Sequence, residues 1–155
     1  MAKLTLEAAQ EFHNRCMLRI SDVSFRKIIE NHSVNVGELA ILLSKNHSDD
    51  VFFRIAGLVH DIGICVDNEN HAAHSLNLLR QEGFEISFEL EDCILNHGSR
   101  SITKTSQGKL FQLADKLSIF DLGLVSRWLN GFEDPFSKEF LLLLHRKVSK
   151  LDILF

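Results

Sequence analysis

Ser48-Asp49-Asp50-Val51-Phe52-Phe53-Arg54-Ile55-Ala56-Gly57-Leu58-Val59-His60-Asp61-Ile62-Gly63 is the stretch on which the reading of this chain turns. It opens on Ser and Asp, whose side chains accept from the free N–H groups of a first helical turn. Val51, Ile55, Val59 and Ile62 then recur at the spacing of one helical face. A helix is predicted over 49–64, carrying His60 and Asp61 at its end, where Gly63 reads as a stop. Neighbouring helical residues project about 100° apart, so the two side chains converge on one point only near such a terminus. Ala56 and Gly57, one turn earlier, leave space for another helix or a ligand to approach His60.

Working outward, the same periodicity predicts helices at about 5–20, 24–45, 71–82, 87–97, 106–130 and 136–153. There is one proline, Pro135, and no sustained strand-like alternation. Gly37 interrupts an otherwise good helix. Six to seven helices in 155 residues make a compact all-α bundle, read as one domain over 1–155. Apolar residues are 45% and charged residues 25% of the chain, ordinary for a soluble globular protein. Net charge is −4 with no Lys/Arg run, which disfavours a nucleic acid duplex as partner but leaves a small anionic substrate open. Cys16, Cys65 and Cys93 are odd in number and lack a Cys-x-x-Cys pair, so they read as reduced thiols. No signal peptide is apparent, and no apolar stretch approaches the roughly 20 residues that cross a bilayer. The expectation is a cytoplasmic protein with no membrane contact.

Polar groups fall on the apolar faces of these helices. His32 shares a face with Ile28, Val36 and Leu39; His97 follows Leu90 and Ile94; Asp115 sits one turn after Phe111. A carboxylate drawn toward an apolar interior needs a strong partner, and a cation is one. Imidazole and carboxylate together suit Fe, Mn, Co, Ni or Zn rather than a thiolate-only site. Between Arg54 and Arg80 there is no Lys or Arg, whereas Asp61, Asp67 and Glu69 all fall there. Taken singly, each group has an ordinary structural role open to it. A lone His on an apolar face is commonly a hydrogen-bonded core residue, and Asp115 alone could pair with Lys116 or Arg127. His13, His47 and His145 read as surface or structural. His71 and His74 both remain open as a further ligand, because a helix start shifted by one residue rotates both.

The ordered set His32, His60-Asp61-Ile62-Gly63, His71-Ala72-Ala73-His74-Ser75, Ile94-Leu95-Asn96-His97 and Leu113-Ala114-Asp115-Lys116-Leu117-Ser118 resembles the HD superfamily of metal-dependent phosphohydrolases, in its His-Asp-Ile-Gly subgroup. The resemblance runs from about residue 28 to 125. It implies a metal site of His32, His60, Asp61 and Asp115, extended by His71 and His97 to hold two divalent ions, Fe or Mn before Co, Ni or Zn. In the His71–Ser75 segment a ligand histidine four positions before a small residue is the common form, which favours His71 over His74. The implied reaction is attack of a metal-activated hydroxide on a phosphate ester or phosphoanhydride, of a nucleotide or another small phosphorylated metabolite, with Asp61 bridging the ions. Other relatives with six such ligands are di-iron oxygenases, and a non-catalytic, metal-stabilised binding domain is a third reading.

One departure stands out. Many relatives carry Lys directly after His-Asp-Ile-Gly, where this chain has Ile64 and Cys65. The phosphate counter-charge is therefore assigned to Arg100, in Gly98-Ser99-Arg100-Ser101, ahead of Lys104, Lys109 and Lys116. His74 is ranked first as proton donor to the leaving oxygen, ahead of Asp67 and Glu69. At the C-terminus, Phe140, Leu141, Leu144, Val148, Leu151 and Phe155 form one stripe, with Leu142, Leu143, Ile153 and Leu154 off it. A helix apolar on two sides either lies deep in the bundle or forms a homodimer interface.

Overall fold

The computed structural model describes residues 1–118. The C-terminal apolar stripe, His145, Arg127 and the helix expected over 136–153 lie outside the described residues. Six helices follow in order: α1 Leu6–Met17, α2 Val23–Leu43, α3 Asp50–Val59, α4 His71–Gln81, α5 Phe88–Leu95 and α6 Ser106–Leu117. The fold is mostly α, as the periodicity indicates. Two 3-10 turns, His47–Asp49 and Ile62–Cys65, flank α3. Strands β1 Ala2–Lys3 and β2 Phe84–Glu85 pair in parallel, a contact too short to leave an alternating pattern in the sequence. Among the described residues, no helix is long and apolar enough to cross a membrane.

Four helices begin as side-chain chemistry requires. Thr5, Asp22, Ser87 and Thr105 each accept from a backbone N–H in the first turn that follows, at 3.0–3.2 Å for the first three and 2.8 Å for Thr105. The core runs through Val36, Leu39, Ala40 and Leu43 of α2, Phe53, Ala56 and Val59 of α3, Leu79 of α4, Ile94 of α5 and Phe111 of α6. Two expected core positions face outward. Val51 and Ile28 are 53% and 63% exposed; the rest of both predicted faces, Ile55, Val59 and Ile62 and then Val36 and Leu39, is buried, joined by Phe53 and Ile29.

Two glycine pairings position the site. At the crossing of α2 and α3, a Cβ on Gly57 would stand 2.5 Å from Ser33 O and 2.8 Å from Gly37 N. Gly37 is thus no helix interruption: it lies within the continuous α2 and gives α3 room to approach. The roughly 0.5–1 kcal/mol that a mid-helix glycine costs relative to alanine is offset by bringing the two backbones together.

The helix expected over 49–64 instead ends at Val59. His60 closes it with helical angles, and Asp61 leaves them (φ −110°, ψ 7°) before the 3-10 turn Ile62–Cys65. Gly63 is not a left-handed stop, since Gly83 alone has positive φ among the described residues. Gly63 is needed for closeness: a Cβ there would lie 2.0 Å from His71 O and 2.5 Å from Ser75 N. The start of α4 therefore presses directly on the His-Asp turn. Ser75 Oγ accepts from Gly63 N at 2.8 Å and fastens the two segments.

Candidate metal centre

His32 comes from α2, His60 and Asp61 from the end of α3, His71 from the first residue of α4, His97 from just beyond α5, and Asp115 from α6. The fold brings all six together. His60 is fully buried, and Asp61 and His97 are each 6% exposed.

The rings are held so that the Nε2 atoms face inward. His60 Nδ1 donates to Gly57 O (2.9 Å), His71 Nδ1 to Asn68 O (2.7 Å) and His97 Nδ1 to Ile94 O (2.8 Å). A carbonyl oxygen only accepts, so each of these Nδ1 atoms carries the proton. For His32 the partner is Ser118 Oγ at 3.1 Å, and that hydroxyl spends its single proton on Asp115 O, so it accepts from His32 Nδ1. In the neutral rings all four Nε2 atoms are therefore bare lone pairs. They stand face to face, His32 against His60 at 3.3 Å and His71 against His97 at 3.1 Å. Two lone pairs at that distance repel unless a cation lies between them.

Asp61 joins the two pairs. Its Oδ2 lies 3.1 Å from His60 Nε2 and 3.3 Å from His32 Nε2, while its Oδ1 lies 3.3 Å from His71 Nε2 and 3.4 Å from His97 Nε2. Oδ1 is buried and has no hydrogen-bond partner, a costly state for a carboxylate oxygen. Asp115 Oδ1 completes the first pair, 3.1 Å from His32 Nε2 and 3.7 Å from His60 Nε2. It pairs with imidazoles, not with its neighbour Lys116. Two groupings thus have metal-ligand geometry, His32–His60–Asp61 and Asp61–His71–His97. Facing lone pairs, an orphaned carboxylate oxygen and a nitrogen–oxygen donor set all fit divalent ions.

Electrostatics agree. Burial works against a charged His60, but Asp61 and Asp115 overcome it and push the ring up to about 10. His32 is also raised: burial is outweighed by Asp115 and Asp61. For Asp61 and Asp115 burial alone would favour the protonated acid, yet the imidazoles hold both below the usual carboxylate range. Without an ion, protons occupy the place that a cation would take.

The other expected site residues lie apart. His74 belongs to neither ligand grouping, and its Nε2 lies 3.8 Å from Asp67 Oδ2. Asp67 itself accepts from Glu69 N and Asn70 Nδ2, closing the loop before α4. Arg100 sits exposed at the turn after His97. The Lys104 backbone N–H donates to Asp92. His13 is buried and structural, its Nδ1 2.7 Å from Leu58 O, and His47 is exposed beside Asp50.

Three residues of the site's frame escaped the sequence reading. Ser118 orients His32. Asp92 accepts from Asn96 Nδ2, from Lys104 N, and from both Thr105 N and Oγ1 (2.7–3.1 Å), tying α5 to the start of α6. Gln112 reaches three carbonyls of the loop beyond α5. No periodicity flags any of them; only Ser118 stood inside a quoted motif.

A family model described as HD domain matches residues 29–119, more than half of the chain and the whole ligand series. The chain belongs to the HD domain family. That places it in a superfamily of metal-dependent phosphohydrolases, whose domains bind divalent metals. The HD match begins within α2, three residues before His32, and ends just past Ser118. Ribonuclease Y of Thermus thermophilus is similar, 32% identical over 97 residues that make up 61% of this chain and 17% of that protein. The chain thus spans less than a fifth of that relative's length. No solved structure matches.

Proposed function

We propose that this HD domain is a binuclear metal-dependent phosphohydrolase acting on a phosphate ester or phosphoanhydride of a nucleotide or another small phosphorylated metabolite. The observation that carries the reading is the single carboxylate of Asp61, with one oxygen turned to each pair of inward-facing imidazoles. His32, His60, Asp61 and Asp115 would hold one ion, and Asp61, His71 and His97 a second. Bound there, divalent ions supply Lewis-acid activation of water and of the phosphoryl group.

The protein's own residues do the rest. Four neutral imidazoles and two carboxylates leave two divalent ions with a net positive charge that favours an anionic substrate. The tethered Nδ1 atoms keep the rings from turning, so the centre needs no reorganisation as charge develops. Arg100 stands in the turn that follows His97, three residues on, where its planar guanidinium suits phosphate oxygens. His74, beside Asp67 and three residues past His71, is the group we assign to return a proton to the leaving oxygen. A relative named as a ribonuclease supports a phosphodiester as a further substrate to screen.

The test is metal content by inductively coupled plasma mass spectrometry on untagged protein, followed by phosphate release from a panel of nucleotides and phosphate monoesters and diesters. Two ions per chain and metal-dependent phosphate release are expected. Absence of metal after incubation with Mn(II) or Fe(II) would overturn the reading. Oxygen-dependent turnover with iron, in place of hydrolysis, would transfer the site to the oxygenase class.

A further inference from the structure

The carbonyl groups of a loop that leaves a helix have no intrahelical donor, and burying them without a partner is costly. Beyond α5 the chain runs through Asn96, His97, Gly98, Ser99, Arg100 and Ser101. Gln112 meets three of these carbonyls at once: its Nε2 lies 3.0 Å from Asn96 O, 2.7 Å from Gly98 O and 3.0 Å from Ser101 O. All three neighbours are acceptors, so the amide nitrogen, and not the amide oxygen, must face them. Two N–H bonds serve three oxygens.

The placement is specific. The Asn96 and Gly98 carbonyls bracket His97, whose Nε2 lies in the centre. The ring of His97 is oriented by Ile94 O, but that tether fixes rotation about the side chain, not where the backbone carries it. Gln112 stands on α6 one turn before Asp115, on the half of the site opposite to His97 in ligand grouping. Its side chain therefore reaches from the helix of one grouping to the loop of the other.

We propose that Gln112 is a positioning residue for the Asp61–His71–His97 ion site, setting the loop that carries His97 and Arg100 at a fixed distance from α6. This rests on the binuclear reading above. Gln112 touches neither ion nor substrate; it acts through the backbone on both sides of His97. Losing its donors leaves α6's own helical hydrogen bonds intact, so Asp115 and the first ion are unaffected.

The experiment is a stepwise Co(II) titration of metal-free full-length protein, wild type against Gln112→Met, which keeps the length and removes the donors. The first ion should bind both proteins equally. The second should bind the variant about tenfold to a hundredfold more weakly, the range seen when an outer support of a ligand is lost. Equal second-ion affinities overturn the proposal, and so does an equal loss at both sites, which would mark a general loosening of the fold. Gln112→Asn, which keeps the donors but withdraws them by one methylene, is the second variant should the first not fold, with the same outcomes. If wild-type protein binds no ion, the binuclear reading has failed and Gln112 is judged separately. The imidazole NMR signals of His97, but not those of His60, should then move in the metal-free variant, and unmoved His97 signals overturn the role.

Discussion

The two halves of the centre are built differently. His32, His60 and Asp115, with Asp61 Oδ2, come from α2, α3 and α6, and converge where Gly57 and Gly37 let two backbones touch. His71 and His97, with Asp61 Oδ1, come from the first residue of α4 and the loop after α5, and their support is a turn and a side-chain amide. The first half has four donors and the second three. Exposure does not separate the halves: each pairs a partly exposed ring, His32 at 25% or His71 at 28%, with a buried one, His60 or His97. An ion held by three donors would keep more coordination positions for water and substrate than one held by four, the distinction that separates catalytic from closed structural metal sites. On the binuclear proposal the first half would be the anchor, and the second the place where water and substrate exchange.

The strongest way to break this comparison is His60→Ala or Asp115→Ala. Either should empty the first site, weaken the second through the loosened Asp61, and reduce phosphate release to background; two ions retained per chain in either variant would refute the anchor assignment. His71→Ala should lose one ion and most activity, whereas His74→Ala should keep both ions and lower turnover alone. Metal analysis of the pair checks this, and the reverse pattern would exchange their roles. Ser118→Ala frees His32 Nδ1 and should weaken the first ion about tenfold to a hundredfold, read by competition with a chelator.

Gly57→Ala puts a methyl group against Ser33 O and should cost about 1–3 kcal/mol of stability, measured by urea unfolding. A further test concerns pH. In metal-free protein His60 is raised from 6.5 to about 10, so the folded chain holds a proton that the unfolded chain releases. That stabilisation is complete below about pH 6.5 and is lost as pH rises through about 10. Asp61 and Asp115 are lowered, and their contribution is present above about pH 4 and lost in acid. The urea midpoint of metal-free protein should therefore decline from pH 7 to 10, and metal-loaded protein should lack this decline because the ion has replaced the proton. A flat metal-free profile would show that the carboxylates are not charging the ring.

What the sequence revealed follows from what repeats. Helices α1 to α6 were legible because their apolar residues recur at 3.6, and four begin at a Ser, Thr or Asp cap. His32, His97 and Asp115 were legible because each falls on an apolar face, and His60 and Asp61 because they stand together at the end of a predicted helix in a stretch without Lys or Arg. His71 could be preferred to His74 only by likeness to a family. Geometry gives the physical reason: the small residue four positions on, Ser75, must fit against Gly63. Gly37 and Gly63 were misread because a glycine in a string looks like a break, whereas here the missing Cβ serves tight approach. Gln112 and Asp92 were invisible because a polar residue's partner is set by tertiary structure, and nothing in its own neighbourhood announces that partner.

The backbone tethers of His60, His71 and His97 bear on how such a protein can change over time. Each ring is aimed by the carbonyl of the residue three positions before it, and a carbonyl is present whatever amino acid stands there. No substitution at Asn68 or Ile94 removes the acceptor as long as the local path of the chain is kept. His32 has no such insurance, since its aim depends on a hydroxyl 86 residues away. Drift in the surrounding sequence should therefore spare three of the four rings and expose the fourth, making position 118 the place where a descendant of this chain would first lose its grip on the metal.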